Sequence, residues 1–331
     1  MKKIIYTTTI FATLLTGCNF LDDNPQGIMT EKEAISKADE LVTTAYSSLG
    51  NDHYDAPFSL WIYGNVRADD AYKGGQDVSD IQHFHFYEIA QNIDPTFGEA
   101  DRFWFMCYMA ISRTNTALKA LQQASDAEVA NRQSRMGEMY FLRGHFYFVL
   151  KTIFGHIPFV DENTPDSAYE TTPNTLPNDE QWQKIVADFK KAYDLLPNTQ
   201  SQKGRADKYA AAAYLAKAYL YKAYRQSENN SVTGINSQDL QEVLIYTSFA
   251  LGSSYGLEDD FAFNFLPGGY ENGKESMFAV QYSVDDGTQY GRLNWGDQLS
   301  APQKLGCCDF HKPSQNLVNA FKTVNGLPDF D

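Results

Sequence analysis

Beyond residue 17 the chain contains no apolar run long enough to cross ~30 Å of hydrocarbon. Cysteine is scarce, four in 331 residues, which excludes a disulfide-stapled scaffold. Positive charge is in deficit: 27 Lys and Arg against 42 Asp and Glu leave a net charge of −15. Phosphate backbones need a positive field, so nucleic acid is excluded as a partner and a polyanionic substrate is disfavoured. Neutral ligands remain open. Also missing are H-E-x-x-H and G-x-x-x-x-G-K-[ST], so zinc protease and P-loop chemistry have no foothold. The neighbours Asp69-Asp70, Asp259-Asp260 and Asp285-Asp286 do not make a glycosidase pair. Adjacent side chains point apart, whereas two catalytic carboxyls must flank a bond at ~5–9.5 Å. They read as turn or cap residues, or at most as calcium ligands. No cofactor is expected, and the chain reads as a non-enzyme.

What is present begins at the N-terminus. Lys2 and Lys3 precede a short apolar run, Ile4 to Leu15, and Leu15-Thr16-Gly17-Cys18 follows. Basic n-region, apolar h-region and small residues before a cysteine form a secretory signal ending in a lipobox. Residues 1–17 are then removed, and the Cys18 thiol takes a diacylglyceryl group. The body becomes 314 residues with a net charge of −17, exported and tethered to a membrane by lipid. That length suffices for one large domain or two ordinary ones.

Residues 18–29 form a polar tether. Thr30 and Glu33 make a capping box, after which Ala34, Ala38, Leu41 and Ala45 recur at helical spacing until Gly50-Asn51. Residues 51–98 are irregular. Helical patterning returns at Glu99–Leu121, Arg132–Phe154, Glu180–Leu196 (with Asp179 as cap), Asp207–Gln226 and Leu240–Leu251. The uncharged run Ala210 to Ala216 marks a helix buried on most sides. Successive Ala-, Tyr- and Leu-rich helices look like degenerate tetratricopeptide pairs, each burying its face by stacking on the next. Cys107, in an aromatic helix, reads as a small buried hydrophobe. After residue 256 the texture turns loop-rich: Ser276–Ser283 alternates as a short strand, and Gln315–Phe321 as a short helix. The chain stops at Asp331 without an evident closing element, which suggests a fragment. The expected fold is mostly α: a tetratricopeptide-like stack over 30–255 with a loop insert near 51–98, then a loop-rich, partly β portion over 256–331.

Aromatic residues are in excess, with 22 Phe, 21 Tyr and 4 Trp. Flat faces suit sugar C–H surfaces, and planar polar groups suit hydroxyls. Two loop-like segments combine both. Residues 61–75 hold Trp61, Tyr63, Arg67, Asp70 and Tyr72. Residues 282–298 hold Tyr290, Arg292, Asn294, Trp295 and Asp297. The ligand-binding candidates are Trp61, Asp70, Tyr72, Tyr290, Arg292, Asn294 and Trp295. The alternative is that Trp61 and Trp295 cover a core edge. His83 and His85 would share a strand face, but with no carboxylate or cysteine at ligand spacing they read as a surface pair, not a metal site. Cys307-Cys308 with His311 matches no standard zinc spacing.

Six segments, in order, resemble the SusD/RagB-like nutrient-binding outer-membrane lipoproteins of Bacteroidota. They are Cys18-Asn19-Phe20-Leu21-Asp22, Arg67-Ala68-Asp69-Asp70, Tyr140–Phe148 with Phe154-Gly155-His156-Ile157-Pro158, Gly204-Arg205-Ala206 with Ala213–Tyr221, Lys274–Ala279, and Pro313–Phe321. The resemblance implies a helical half that docks on a SusC-type TonB-dependent transporter and a loop-rich half that binds ligand. It also implies an outer-membrane location, with an oligosaccharide the first choice of ligand. Arg143 reads as a buried charge paired with an acid. Two alternatives remain: a peptide-capturing relative, and a helical-repeat scaffold that binds no small ligand.

Overall fold

The computed structural model describes residues 29–50, 58–94, 98–283, 294–305 and 307–328. Helices dominate. In chain order they are α1 (Glu31–Ser36), α2 (Ala38–Ser47), α3 (Gln82–Glu88), α4 (Gly98–Gln123), α5 (Arg132–Phe154), α6 (Asn178–Leu195), α7 (Lys208–Ala223), α8 (Ser237–Leu251), α9 (Trp295–Ser300) and α10 (Gln315–Ala320). The strands are β1 (Ala71–Gly74), β2 (Tyr224–Gln226), β3 (Val232–Ile235), β4 (Phe310–Pro313), β5 (Thr323–Val324) and β6 (Leu327–Pro328), joined as three two-stranded antiparallel pairs.

From α4 to α8 each helix packs chiefly on its neighbours in sequence, and α2 lies against α4. This is the stacked-pair arrangement expected from the Ala-rich pattern. The main core runs through all of them. Helix α5 sits centrally and is buried almost continuously from Gly137 to Lys151. Gly144 allows a close approach to α6, since a Cβ there would lie 3.0 Å from the Phe189 ring.

The Arg143 guanidinium organises the polar part of this core. It donates to both Asp188 oxygens (2.8 and 2.7 Å), to Glu162 Oε2 (2.5 Å) and to Asn115 Oδ1 (2.8 Å). Burial alone would push its pKa down. The Asp188 and Glu162 carboxylates outweigh that and hold it well above the usual arginine value. One side chain thus ties α4, α5, the 155–177 connection and α6 together.

A second, smaller core lies apart from the bundle core, made by Trp61, Ile62, Val66, Ala71, Phe84, Leu299 and Phe310. The irregular 58–94 segment contributes a π-helical turn (Ile62–Val66), β1 and α3. The C-terminal part contributes α9 and β4. Strand β1 pairs with β4 in the register Ala71 with Pro313 and Gly74 with Phe310. Gly74 has φ +74°, and a Cβ there would strike the Asp309 carbonyl oxygen, so the pairing depends on glycine. Phe58 and Tyr63 fasten this lobe to the bundle, each 5.4 or 5.3 Å from the Phe103 ring on α4.

Three local expectations need correction. Ser276–Ser283 is not a strand: it drapes over the bundle, with Phe278 5.0 Å from the Phe141 ring, because its burial comes from helices rather than from a pairing edge. Helix α7 ends at Ala223, not Gln226, because Tyr224–Gln226 turns out to pair with β3 as a hairpin. His83 and His85 stand on α3 rather than on a strand. Two residues apart on a helix, they face different ways, and His83 Nδ1 lies 2.5 Å from Glu99 Oε1.

Candidate functional site

The 61–75 segment and its flank meet the C-terminal part of the chain in space, while residues 284–293 of the second candidate segment lie outside the described residues. Ser314 donates through its hydroxyl to the Asp69 carbonyl and through its N–H to the Asp70 carbonyl (3.0 Å). The same hydroxyl accepts from Leu317 N–H (3.0 Å) and so caps α10. Gly296, at the start of α9, faces Ser59 so closely that a Cβ would strike its hydroxyl. These contacts bring Trp61, Asp70, Tyr72, Asn294 and Trp295 into one lobe. Cys18, Tyr290 and Arg292 lie outside the described residues.

Within the lobe the candidates take different positions. Trp61 is 4 % exposed, edge-on to Phe84 (5.4 Å) and stacked on His311 (4.8 Å), so its indole supports the lobe and offers no open face to a ligand. Tyr72 is 45 % exposed on β1, and its hydroxyl accepts from Gln315 N–H at 3.3 Å. Asp70 is exposed. Asn294 caps α9, its side-chain oxygen accepting from Asp297 N–H (3.3 Å) and its amide donating to Asp297 Oδ2 (2.9 Å). Trp295 is half-buried in the first turn of α9.

Between this lobe and the bundle opens a cleft of about 510 Å³, lined by Tyr63, Arg67, Tyr87, Asp101, Trp104 and Phe154 among others. Tyr63 and Arg67 come from the π-helical turn and its C-terminal end, Tyr87 from α3, Asp101 and Trp104 from α4, and Phe154 from the end of α5. Tyr63 and Tyr87 meet edge to face at 5.4 Å, and Trp104 meets Phe154 edge to face at 5.0 Å. Half-exposed rings on opposite walls leave apolar faces open, while Arg67 and Asp101 remain exposed at the rim. Burial raises the Tyr87 phenol above its usual pKa, and the nearby Arg67 charge acts against the rise, so the phenol stays a neutral donor. Flat rings with a few planar polar groups on a rigid frame fit a sugar or another flat, hydroxyl-rich ligand. Two other hollows, of about 440 and 320 Å³, flank residues 202–205, and their walls mix polar and apolar side chains.

Tyr63 and Arg67 stood in the segment flagged by sequence. Tyr87, Asp101 and Trp104 did not: they sit on helices, where an aromatic reads as core. The signal that was available is Trp104 with Tyr108 on one face of an aromatic-rich helix. No group of three or more His, Cys, Asp or Glu side chains that could hold a metal ion occurs among the described residues, nor among them is any helix long and apolar enough to cross a membrane.

Residues 19–220 match a SusD-like family profile described as starch-binding and associating with the outer membrane. A SusD-like protein, P2, of Formosa agariphila is 26 % identical over 221 residues, covering 64 % of this chain and 42 % of that protein. Among solved structures, surface glycan-binding protein A from Bacteroides thetaiotaomicron, in complex with laminarihexaose, superposes with a TM-score of 0.64 at 20 % identity. That match covers 87 % of this chain and 61 % of the other. The corresponding protein from Bacteroides fluxus gives 0.65 at 20 % identity over 86 % and 61 %. The chain therefore spans about two fifths of the length of the P2 relative and about three fifths of these structures, which share its fold.

Proposed function

Because the chain belongs to the SusD-like family, we propose that it captures a glycan in the cleft walled by Tyr63, Tyr87 and Trp104. The carrying observation is that cleft: aromatic faces on two walls, polar groups at the rim, and both walls held by packed cores. Rings stack on the C–H faces of a pyranose, and Arg67 and Asp101 supply the donor and acceptor that hydroxyl recognition needs. Capture requires no bond to be made or broken, and the protein acts as a binding module without catalysis. Its place is the outer membrane, held there by the acylated Cys18. The helical stack docks on a SusC-type TonB-dependent transporter that receives the glycan.

Titration calorimetry with laminarihexaose, maltohexaose and a wider oligosaccharide panel tests the reading. At least one glycan should give saturable heat, and Trp104→Ala should weaken it about tenfold or more, the scale of ~1.4 kcal/mol or greater for a lost aromatic platform. A folded protein that gives no heat with any glycan of the panel overturns it.

A further inference from the structure

His83 and Glu99 meet beside the cleft, where the small lobe joins the bundle. His83 lies in the first turn of α3 and Glu99 in the first turn of α4. Their Nδ1 and Oε1 atoms are 2.5 Å apart. A ring nitrogen and a carboxylate oxygen come that near only with a proton between them, so the imidazole donates. Glu99 is 7 % exposed, and its Oε2 is enclosed without a hydrogen bond among the described residues. A carboxylate so placed is destabilising unless a donor faces it, and His83 supplies that donor.

Helical spacing sorts the neighbouring residues into two strips. On α4, Glu99 and Phe103 are four apart and form the junction, the Phe103 ring meeting Phe58 and Tyr63 at 5.4 and 5.3 Å. Ala100, Asp101 and Trp104, turned from that strip, line the cleft. On α3, Phe84 fills the small core, whereas Tyr87 stands one turn after His83, lines the cleft and meets Tyr63. The Glu99 charge reaches that phenol, adding to the pKa rise that burial causes and Arg67 opposes.

We infer that the His83–Glu99 pair is a pin that fixes α3 against α4 and so sets the separation of the Tyr87 and Trp104 walls. His83 does not line the cleft: it is a positioning residue that acts through Tyr87. Its effect on recognition rests on the glycan reading above, whereas the pin itself does not. The lobe keeps its own core around Trp61, Phe84 and Phe310, so losing the pin loosens a wall without unfolding either part. Ring stacking depends steeply on that wall, since a gap of about 0.5–1 Å forfeits roughly a quarter to a half of each contact.

Hydrogen exchange on the full chain, with calorimetry against laminarihexaose, maltohexaose and the wider panel, tests this. His83→Ala should quicken exchange about tenfold in α3 and the 62–67 turn and leave α5–α7 unchanged. The same variant should weaken glycan binding about fivefold. His83→Gln, whose amide can donate to the same oxygen, should recover both properties. A residue that merely fills space would not be replaced by a donor of different shape. His83→Ala/Glu99→Ala removes the unpaired carboxylate along with the pin, so it should fold and still show fast exchange and weak binding. His85→Ala, on another face of α3, should match the parent. Slow exchange of α3 in His83→Ala overturns the proposal. So does a His83→Gln variant that recovers nothing, or a glycan affinity unchanged by a loosened α3. A parent that binds no glycan of the panel defeats the glycan reading, and the exchange rates then decide the pin alone.

Discussion

The Trp61 indole and the His311 imidazole lie 4.8 Å apart with their planes 22° from parallel. They are separated by most of the chain, and their stacking joins the early and late segments that build the small lobe. Burial lowers the His311 pKa, which keeps the ring neutral and suited to stacking. The Trp61 indole N–H has no acceptor among the described residues, so shape and area hold this contact rather than hydrogen bonding.

Trp61 and Trp104 should therefore separate in their effects. Trp61→Ala is expected to cost ~3–5 kcal/mol of lobe stability, the usual scale for emptying a buried aromatic site. Trp104→Ala, at the half-exposed cleft wall, should cost less stability and more affinity. Denaturant midpoints combined with calorimetry check this. Equal losses of both properties in the two variants would contradict the assignment.

Removing the Arg143 side chain leaves Asp188 and Glu162 as buried, unpaired carboxylates. Arg143→Ala should destabilise the bundle by ~3–5 kcal/mol, against well under ~1 kcal/mol for the exposed pair Lys190–Asp194. Urea unfolding of Arg143→Ala and Lys190→Ala gives the comparison.

Stability should fall with acidity through His145. Its surroundings of Phe146 and Tyr214, with Lys217 nearby, bury the ring first and repel its charge second, lowering its pKa from 6.5 to about 4. A base that is depressed in the folded state takes up a proton on unfolding. Its contribution is complete above pH 6.5 and is lost as pH falls towards 4. The loss reaches ~3 kcal/mol at most. Urea midpoints measured across that window should drop more in the parent than in His145→Gln. Parallel curves would refute the role of this ring.

Gly74→Ala should detach β1 from β4. The backbone is left-handed there, and the added carbon meets the Asp309 carbonyl. A loss above ~1 kcal/mol is expected, with hydrogen exchange quickening at residues 310–313 and not in α5. A protected β4 in this variant would show that the pairing does not depend on glycine.

Helix α5 was legible to its ends, Arg132 and Phe154, because apolar periodicity, Gly155 and Pro158 all bound the same segment. Arg143 was legible as a buried charge because the segment that carries it, Tyr140–Phe148, resembles a structural signature of the family. The Ser276–Ser283 alternation misled, since period-two burial against a helical surface looks the same in sequence as burial against a sheet. The cleft was half legible. Tyr63 and Arg67 lay in a loop-like segment, whereas Tyr87 and Trp104 were indistinguishable from core rings until the lobe's position left one face of each uncovered.

Composition and local pattern by themselves determined the stacked helices, because these are written in short-range periodicity and residue size. Which aromatics are supports and which are open walls was decided only by tertiary structure. Exposure depends on what a distant segment covers, and the β1–β4 pairing that sets this joins residues about 240 positions apart.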